Sequence, residues 1–189
     1  MANQDKAFGF KLVGNLSGVN QNEVREYNVE SGSTQGIFSG DPVKMLAGGY
    51  IDVADAAADT KILGVFRGVK YVDATSKDVV HSAYFPAGQT ATGDIVAYVE
   101  DNPHNLYEVQ CSGSLARGDI GSNVDIDYSA GSTVTGQSAA EIGSSAGAAA
   151  ANYRLVGVSK DVENNELGSN NVNMIVMINE HAYNQQAGV

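Results

Sequence analysis

Few residues of this chain have the types and spacing that catalysis requires. The run GSSAG at residues 143–147 matches the G-x-S-x-G pattern of a nucleophile elbow, in which a strained turn between a strand and a helix exposes a serine. Here the run lies in a segment of serine, alanine and glycine, where such spacing arises by chance. We therefore assign no catalytic residue to it, and we predict that the protein is not an enzyme.

Acidic residues form the second group with possible chemistry. Asp125 and Asp127 are two positions apart, so both carboxylates would point to one face of a strand, and an acidic loop follows at 161–166. Either set could offer oxygen ligands to Ca²⁺, but neither has the glycine and the distal glutamate of an EF-hand loop in register. We favour a solvated acidic surface and predict no metal site and no cofactor. A hydrolase that uses Asp125 and Asp127 is the enzymatic alternative.

The histidines and the cysteine add no further site. His81, His104 and His181 are far apart and lack the close partners that mark metal sites, so we predict exposed or turn positions for all three. Cys111 is the only cysteine, which excludes an internal disulfide and indicates a reducing compartment. Its position in an alternating segment predicts a small core residue. The tripeptide RGD at 117–119 is interpreted as a polar turn.

The charge of the chain argues against several classes of partner. The formal net charge is −11, and the 11 basic residues form no cluster, whereas nucleic-acid binding requires a basic surface. No segment approaches the roughly 20 apolar residues of a membrane span. The start, MANQDKAFGFKLVG, lacks a charged segment followed by an apolar one. We therefore expect a soluble protein, made in a cytoplasm, that binds neither nucleic acid nor membrane.

Short strands are the elements that would position any site. Residues 36–72 contain a hairpin of strands at 43–46 and 50–53 joined by Gly48-Gly49, followed by a long strand at 61–72 with apolar residues on both faces. On that strand we place Val65 with Leu63 on one face and Phe66 with Ile62 on the other. Further strands are predicted at 24–29, 79–85, 92–100, 106–111, 123–128, 152–159 and 172–178.

The strand count defines the fold class. About nine to eleven short strands and no long helix predict an antiparallel all-β protein, either a β-barrel or a β-sandwich. The segments 92–100 and 106–111 follow each other closely, and we expect them to pair as a hairpin.

Two segments depart from the strand pattern. Residues 1–34 are predicted to form an extended N-terminal arm whose apolar residues dock on a neighbouring subunit; an irregular segment packed on its own domain is the alternative. Residues 35–189 are predicted to form a single β domain, with a low-complexity surface loop at 129–151 and a loose tail from 181. The candidate docking residues of the arm are Phe8, Phe10, Leu12, Val13 and Leu16.

Five segments together resemble a known class of protein. They are ANQDKAFGFKLVG at 2–14, IFSGDPVKMLAGGYIDV at 37–53, ILGVFRGVKYV at 62–72, DIVAYVEDNP at 94–103 and LVGVSKDVENNELGSNNVNMIVMINEH at 155–181. They are similar to small structural proteins of tailed-bacteriophage heads, and most of all to capsid decoration, or cement, proteins. The resemblance covers most of the chain outside 129–151.

The resemblance implies a function and a partner. Such a protein is all-β, binds the outer surface of an assembled shell of major capsid protein, often as a homotrimer, and stabilises the shell. It would be part of the virion, assembled in the host cytoplasm. The alternative is another non-enzymatic virion component, such as a tail-tube, head-fibre or host-contacting surface protein. We expect the arm to bind the major capsid protein, and deletion of residues 2–18 to abolish that binding while the fold survives.

Overall fold

The computed structural model describes residues 3–18, 23–59, 61–147 and 150–184. Within these ranges the chain forms fifteen strands, five of them two residues long, and one turn of 3-10 helix at Arg117–Asp119. No helix in these ranges is long and apolar enough to cross a membrane. The all-β class is therefore confirmed. The strands in chain order are β1 (Lys11–Asn15), β2 (Arg25–Val29), β3 (Ile37–Phe38), β4 (Pro42–Met45), β5 (Tyr50–Val53), β6 (Ile62–Val72), β7 (Val79–Ser82), β8 (Tyr84–Phe85), β9 (Ile95–Glu100), β10 (Asn105–Gln110), β11 (Asn123–Val124), β12 (Ile126–Asp127), β13 (Glu141–Ile142), β14 (Tyr153–Val158) and β15 (Asn173–Ile178).

Five of the strands close into a barrel. The ring runs β4-β5-β2-β9-β6 and closes through the pairing of β6 with β4, while β7 extends the sheet beyond β6. All pairings in the ring are antiparallel except that of β2 with β5, because a ring with an odd number of strands cannot alternate direction throughout. The predicted hairpin of β4 and β5 is confirmed, with Val43 opposite Val53.

A second sheet, which we call the open sheet, has the order β1-β10-β15-β14-β11 and is antiparallel throughout. Its inner face takes alternate residues of each strand, since Tyr107, Val109, Met174 and Val176 are all buried. Cys111 is buried in the same core, which confirms its predicted role. A closed barrel, one of the two predicted alternatives, is thus present, but it contains a parallel pairing and packs against an open sheet, and the described ranges form fifteen strands where nine to eleven were predicted.

The expected hairpin between residues 92–100 and 106–111 is wrong. Strand β9 pairs with β2 and β6 in the barrel, whereas β10 pairs with β1 and β15 in the open sheet. The turn between them carries the chain from one sheet to the other. It is held by the Tyr107 hydroxyl, which donates to the carbonyl of Glu100 at 3.0 Å.

Strand β6 is buried on both faces and separates two hydrophobic cores. Ile62 and Val65 belong to the core of the open sheet, whereas Leu63 and Phe66 belong to the core of the barrel. The predicted faces of Val65 and Phe66 are therefore wrong. Irregularities in the pairing of β6 with β4 and with β9 interrupt the alternation, and each bulge turns the following side chains to the opposite face.

The N-terminal residues are built into both sheets. Phe10 is fully buried and its ring stacks on Tyr153 with a centroid distance of 4.6 Å. Strand β1 forms one edge of the open sheet and β2 is part of the barrel. An extended arm over residues 1–34 is thus not confirmed, although residues 1–2 and 19–22 of that prediction lie outside the described ranges. Deletion of residues 2–18 would remove Phe10 from the core, so we now expect it to destabilise the fold.

Part of the low-complexity segment at 129–151 packs into the core of the open sheet, whereas residues 132–135 are exposed; residues 148 and 149 lie outside the described ranges. Ala140 and Ile142 are fully buried, and the amide of Ser138 donates to the carbonyl of Ser39 at 2.9 Å. A Cβ at Gly131 would lie 2.3 Å from the carbonyl oxygen of Gln137. The predicted surface loop is therefore wrong for residues 138–142, which pack inward, and agrees with the exposure of residues 132–135. At Gly131 the absent side chain allows the backbone to lie close against its neighbours.

The C-terminal part is also more ordered than predicted. His181 is buried and forms an isolated bridge with Ile62, so its predicted exposed position and the predicted tail from 181 are wrong for the residues up to 184. Its Nδ1 accepts a hydrogen bond from the amide of Tyr183 at 3.1 Å. His81 and His104 are exposed, as predicted. The RGD turn is confirmed, and the carboxylate of Asp119 accepts from the amide of Ala116 at 2.7 Å.

Candidate functional site

The outer face of the open sheet carries apolar side chains where polar ones are expected. An antiparallel sheet with one solvated face usually alternates apolar residues inside with polar residues outside. Here Leu106 of β10 and Ile175 and Met177 of β15 point outward and are half-buried, and Val13 of β1 is 43% exposed. The core of the sheet uses the alternate residues, so these outward side chains contribute to a surface and not to that core.

A groove of about 640 Å³ lies on this face. Its floor is formed by Val13, Leu106 and Ile175, which come from the three adjacent strands β1, β10 and β15. Val158 at the end of β14 closes one side. We call this feature the outer groove. Its rim is polar, and consists of Lys11, Glu108, Ser159, Lys160 and Asp161.

The rim of the outer groove is held in place by hydrogen bonds. Lys11 lies directly opposite Glu108 in the pairing of β1 with β10. The Ser159 hydroxyl donates to the carboxylate of Glu108, and the amide of Asp161 donates to the Ser159 hydroxyl at 3.1 Å. These bonds fix the loop after β14 against β10. The groove can therefore take up an apolar side chain on a preformed floor, with charges of both signs around it.

Strand β1 gives this surface a second means of binding. It is the terminal strand of the open sheet and pairs with β10 on one side. A terminal strand presents backbone donors and acceptors to which a strand of another protein can add. The edge and the outer groove are adjacent, because Lys11 and Val13 of β1 line the groove.

The five residues predicted to form a docking arm have different environments. Phe10 is fully buried and Leu12 packs against the core of the open sheet, so both are corrected to core residues. Phe8 is half-buried and lines a neighbouring, polar cavity of about 400 Å³, which shares three lining residues with the outer groove. Val13 lines the outer groove, and Leu16, which is 52% exposed, follows β1 directly. The predicted role of these residues in binding capsid protein stays a prediction for Val13 and Leu16.

Sequence reasoning missed most of the outer groove. Leu106, Val158 and Ile175 were each assigned to a strand without a role in binding. The sequence signal that could have revealed the outer groove is the run NMIVMI in β15. This run is apolar on both faces, although only one face packs against the core. An apolar outward face is the usual mark of a binding surface.

The acidic residues form a local cluster with one perturbed carboxyl group. Asp127 lies opposite Glu141 in the pairing of β12 with β13. Burial raises the pKa of Glu141 to about 7, and the negative charges of Asp5 and Asp127 add to this effect. Among the described ranges no group of three or more His, Cys, Asp or Glu side chains is arranged to hold a metal ion. Asp125 and Asp127 alternate with the buried Val124 and Ile126, which agrees with the predicted placement of the two carboxylates on one face, although Asp125 lies between the short strands β11 and β12.

A second buried carboxylate lies between the two cores. Asp41 accepts hydrogen bonds from the amide of Phe38 at 2.8 Å and from the Tyr128 hydroxyl at 3.3 Å. Burial raises the pKa of Asp41 to about 6, although these bonds act in the opposite direction. The bond from Phe38 closes the turn before β4, which is the structural role that a Gly-Asp-Pro sequence predicts.

Comparison of the chain with protein-family models, with curated proteins and with solved structures finds no match. Function is therefore inferred from the residues of this chain and their arrangement. The outer groove, with the edge of β1 beside it, is the feature that offers the most specific means of binding.

Proposed function

We propose that this protein is a structural virion protein that binds the outer surface of a phage capsid shell and stabilises it. The observation that carries the proposal is the apolar outer groove beside the edge of β1, an arrangement typical of a surface that binds another protein. The proposal is also supported by the sequence. Two of the segments that resemble decoration proteins, 2–14 and 155–181, supply most of the residues that line the groove.

The proposed partner is the major capsid protein. An apolar side chain of that protein would occupy the groove, and complete burial of one such side chain contributes about 1.5–3 kcal/mol. A homotrimer would present three copies of the groove to the shell, so that weak individual contacts add up through avidity. Because binding requires neighbouring capsid subunits in their assembled positions, it would stabilise the assembled state by mass action.

The overall charge suits this role. A net charge of −11 discourages association of the protein with itself outside the intended contacts. The rim of the outer groove differs from the chain as a whole, because Lys11 and Lys160 balance Glu108 and Asp161 there. The lining of the groove therefore carries no net formal charge.

The first test is light scattering of the purified protein, alone and after mixing with expanded capsids that lack it. We expect a small defined oligomer, a homotrimer, that sediments with the capsids. Large rings, or no binding to capsids, would contradict the proposal and favour a tail or host-contacting role.

A pair of variants then locates the surface. Val13→Asp places a charge on the groove floor, where Val13 is 43% exposed, and should weaken capsid binding by about tenfold or more. Val134→Asp is the matched control, because Val134 is 93% exposed and does not line the groove. Both variants should unfold at the same denaturant concentration as the wild type to within a small difference. Equal capsid binding by the two variants would show that the groove is not the contact surface.

A further inference from the structure

Residues 180–184, which we call the C-terminal latch, complete the pairing of β6 at its start. There β6 pairs with β4 on one side, whereas its pairing with β9 on the other side begins only at Val65. The latch takes the place of β9 before that point. The amide of Ile62 donates to the carbonyl of Glu180 at 3.0 Å, and the amide of Ala182 donates to the carbonyl of Ile62 at 2.9 Å.

The buried side chain of His181 holds the latch closed. Only 1% of this residue is exposed, and its Nδ1 accepts a hydrogen bond from the amide of Tyr183 at 3.1 Å. The amide of Asn184 donates to the carbonyl of His181 at 3.0 Å, so the chain turns back at this point. The Tyr183 hydroxyl then bonds to the Tyr27 hydroxyl of β2 at 2.9 Å. The bond to Nδ1 requires that this nitrogen carries no proton.

A proton on Nδ1 would reverse this contact. The nitrogen would become a donor that faces the N–H of Tyr183, so the hydrogen bond would be lost and a cation would be left in a buried position. Burial accordingly lowers the pKa of His181 from its usual value of 6.5. The closed latch therefore binds a proton less readily than the open latch does.

Charged and polar groups from several elements act on the same ring. The carboxylate of Asp101, which follows β9, and the carbonyls of Asp101 and Leu63 favour the protonated ring, whereas His104 in the turn before β10 disfavours it. The Asp101 carboxylate is shared, because it also accepts from Arg25 at 3.1 Å and from Tyr27 at 2.5 Å. Its attraction for a proton on the imidazole is therefore weaker than the cost of burying the cation.

We propose that the C-terminal latch is an acid-sensitive switch, in which protonation of His181 releases residues 180–184 from β6 while both hydrophobic cores stay folded. Release uncovers the backbone of Ile62. The cores survive because the latch adds little to them: Ala182 packs against the core of the barrel as a partly buried side chain. The contribution of His181 to closure is complete above about pH 6.5 and decreases as the pH falls below it. This proposal does not depend on the proposed function.

The test is amide hydrogen exchange of the full chain between about pH 5 and pH 7, with each rate divided by the intrinsic rate at that pH. The amides of Ile62, Ala182 and Tyr183 report the opening constant of the latch. This constant should rise by up to about tenfold for each pH unit below about 6.5, the limit for uptake of one proton. Amides of β10 and β15 serve as the reference for the core and should show no such rise.

The reference also separates the latch from other titrating groups. Burial raises the pKa of Asp41 to about 6 and that of Glu141 to about 7. Both groups therefore stabilise the folded chain as the pH falls through this interval, which is the opposite of the effect expected for His181. If the latch and core amides open together by the same factor in acid, the release is global and the proposal is wrong.

Three variants assign the effect to His181. His181→Asn keeps a side-chain oxygen that can accept from the amide of Tyr183 but does not titrate, so the pH dependence of latch opening should disappear. His81→Asn removes an exposed histidine of β7 and is the matched control, which should keep the pH dependence. Tyr183→Phe removes the bond to Tyr27 and should raise the opening constant by a similar factor at every pH.

Two results would overturn the proposal. One is latch opening that does not change with pH in the wild type, or that keeps its pH dependence in His181→Asn. The other is independent of any variant: in an NMR titration of the wild type, the His181 ring takes up its proton while the latch amides stay protected.

Discussion

Replacement of Asp41 by Asn tests the energetic role of the carboxylate between the two cores. Burial raises the pKa of Asp41 from 3.8 to about 6. The folded protein therefore binds a proton at this site between about pH 4 and pH 6, where the unfolded chain has released it. It follows that this site makes the free energy of unfolding decrease as the pH rises through that interval, and contributes no further change above it.

The magnitude follows from the size of the shift. One pKa unit corresponds to about 1.4 kcal/mol, so a shift of roughly two units costs the folded state about 3 kcal/mol when Asp41 is ionised. Asparagine has no charge to bury and keeps a side-chain oxygen that can accept from the amide of Phe38. We therefore expect Asp41→Asn to match the wild type in stability near pH 4 and to exceed it by about 3 kcal/mol near pH 8.

The assay is urea unfolding of both proteins at several values between pH 4 and pH 8. Other groups also titrate in this range: burial raises the pKa of Glu141 to about 7 and lowers the pKa of His181. Both groups are present in the two proteins, so their effects cancel in the difference between variant and wild type. If the difference in free energy of unfolding between Asp41→Asn and the wild type does not change with pH, the reasoning is refuted. A variant less stable than the wild type at pH 8 would refute it as well.

Three further substitutions test the packing, each by urea unfolding at neutral pH. Phe10→Ala removes a fully buried ring from the core of the open sheet and should lower the free energy of unfolding by about 3–5 kcal/mol; a loss below 1 kcal/mol would mean that Phe10 is not a core residue. Gly131→Ala should cost about 1–3 kcal/mol, because its Cβ would lie 2.3 Å from a carbonyl oxygen. Gly118→Ala, with no neighbour within 4 Å, should be nearly neutral, and equal effects of the two substitutions would contradict the close packing of Gly131. Arg67→Met leaves the buried Glu100 without the cation that now lies 2.8 Å away and should cost about 3 kcal/mol; a neutral result would show that the pair adds nothing.

Local patterns were sufficient to predict most of the strands. The hairpin of β4 and β5 has a Gly-Gly turn between two short apolar runs, and turn and strands all lie within a few residues of each other. The alternating segment that ends in Cys111 likewise predicted that this side chain faces the core. These features depend on residues near in sequence, which a single chain displays directly.

Features that depend on distant partners could not be predicted in this way. The pairing partners of β9 and β10 lie in different sheets, although the two strands are separated by only a short turn. The bulges that shift Val65 and Phe66 to unexpected faces arise from the pairing of β6 with two other strands. Phe10 resembles a residue of a free arm in sequence, because its core partners Tyr107 and Tyr153 are far along the chain.

The outer groove could not be predicted from the sequence for a related reason. Its floor combines one residue from each of three strands that are adjacent in the sheet but distant in sequence. The sequence identified Val13 as a candidate for binding, but grouped it with Phe10 and Leu12, which the alternation of the chain and the packing of the sheet turn toward the core. Only the sheet order shows which apolar residues face solvent together.

Hydrogen exchange of the protein, free and bound to capsids, tests the central claim most directly. Backbone amides of β1 and of the outer groove should become protected on binding, since the proposed contact covers the edge of the open sheet. Amides of β7, at the far edge of the barrel sheet, should exchange at the same rate in both states. Protection confined to β7, or exchange at β1 that is unchanged in a capsid-bound sample, would contradict the proposed surface.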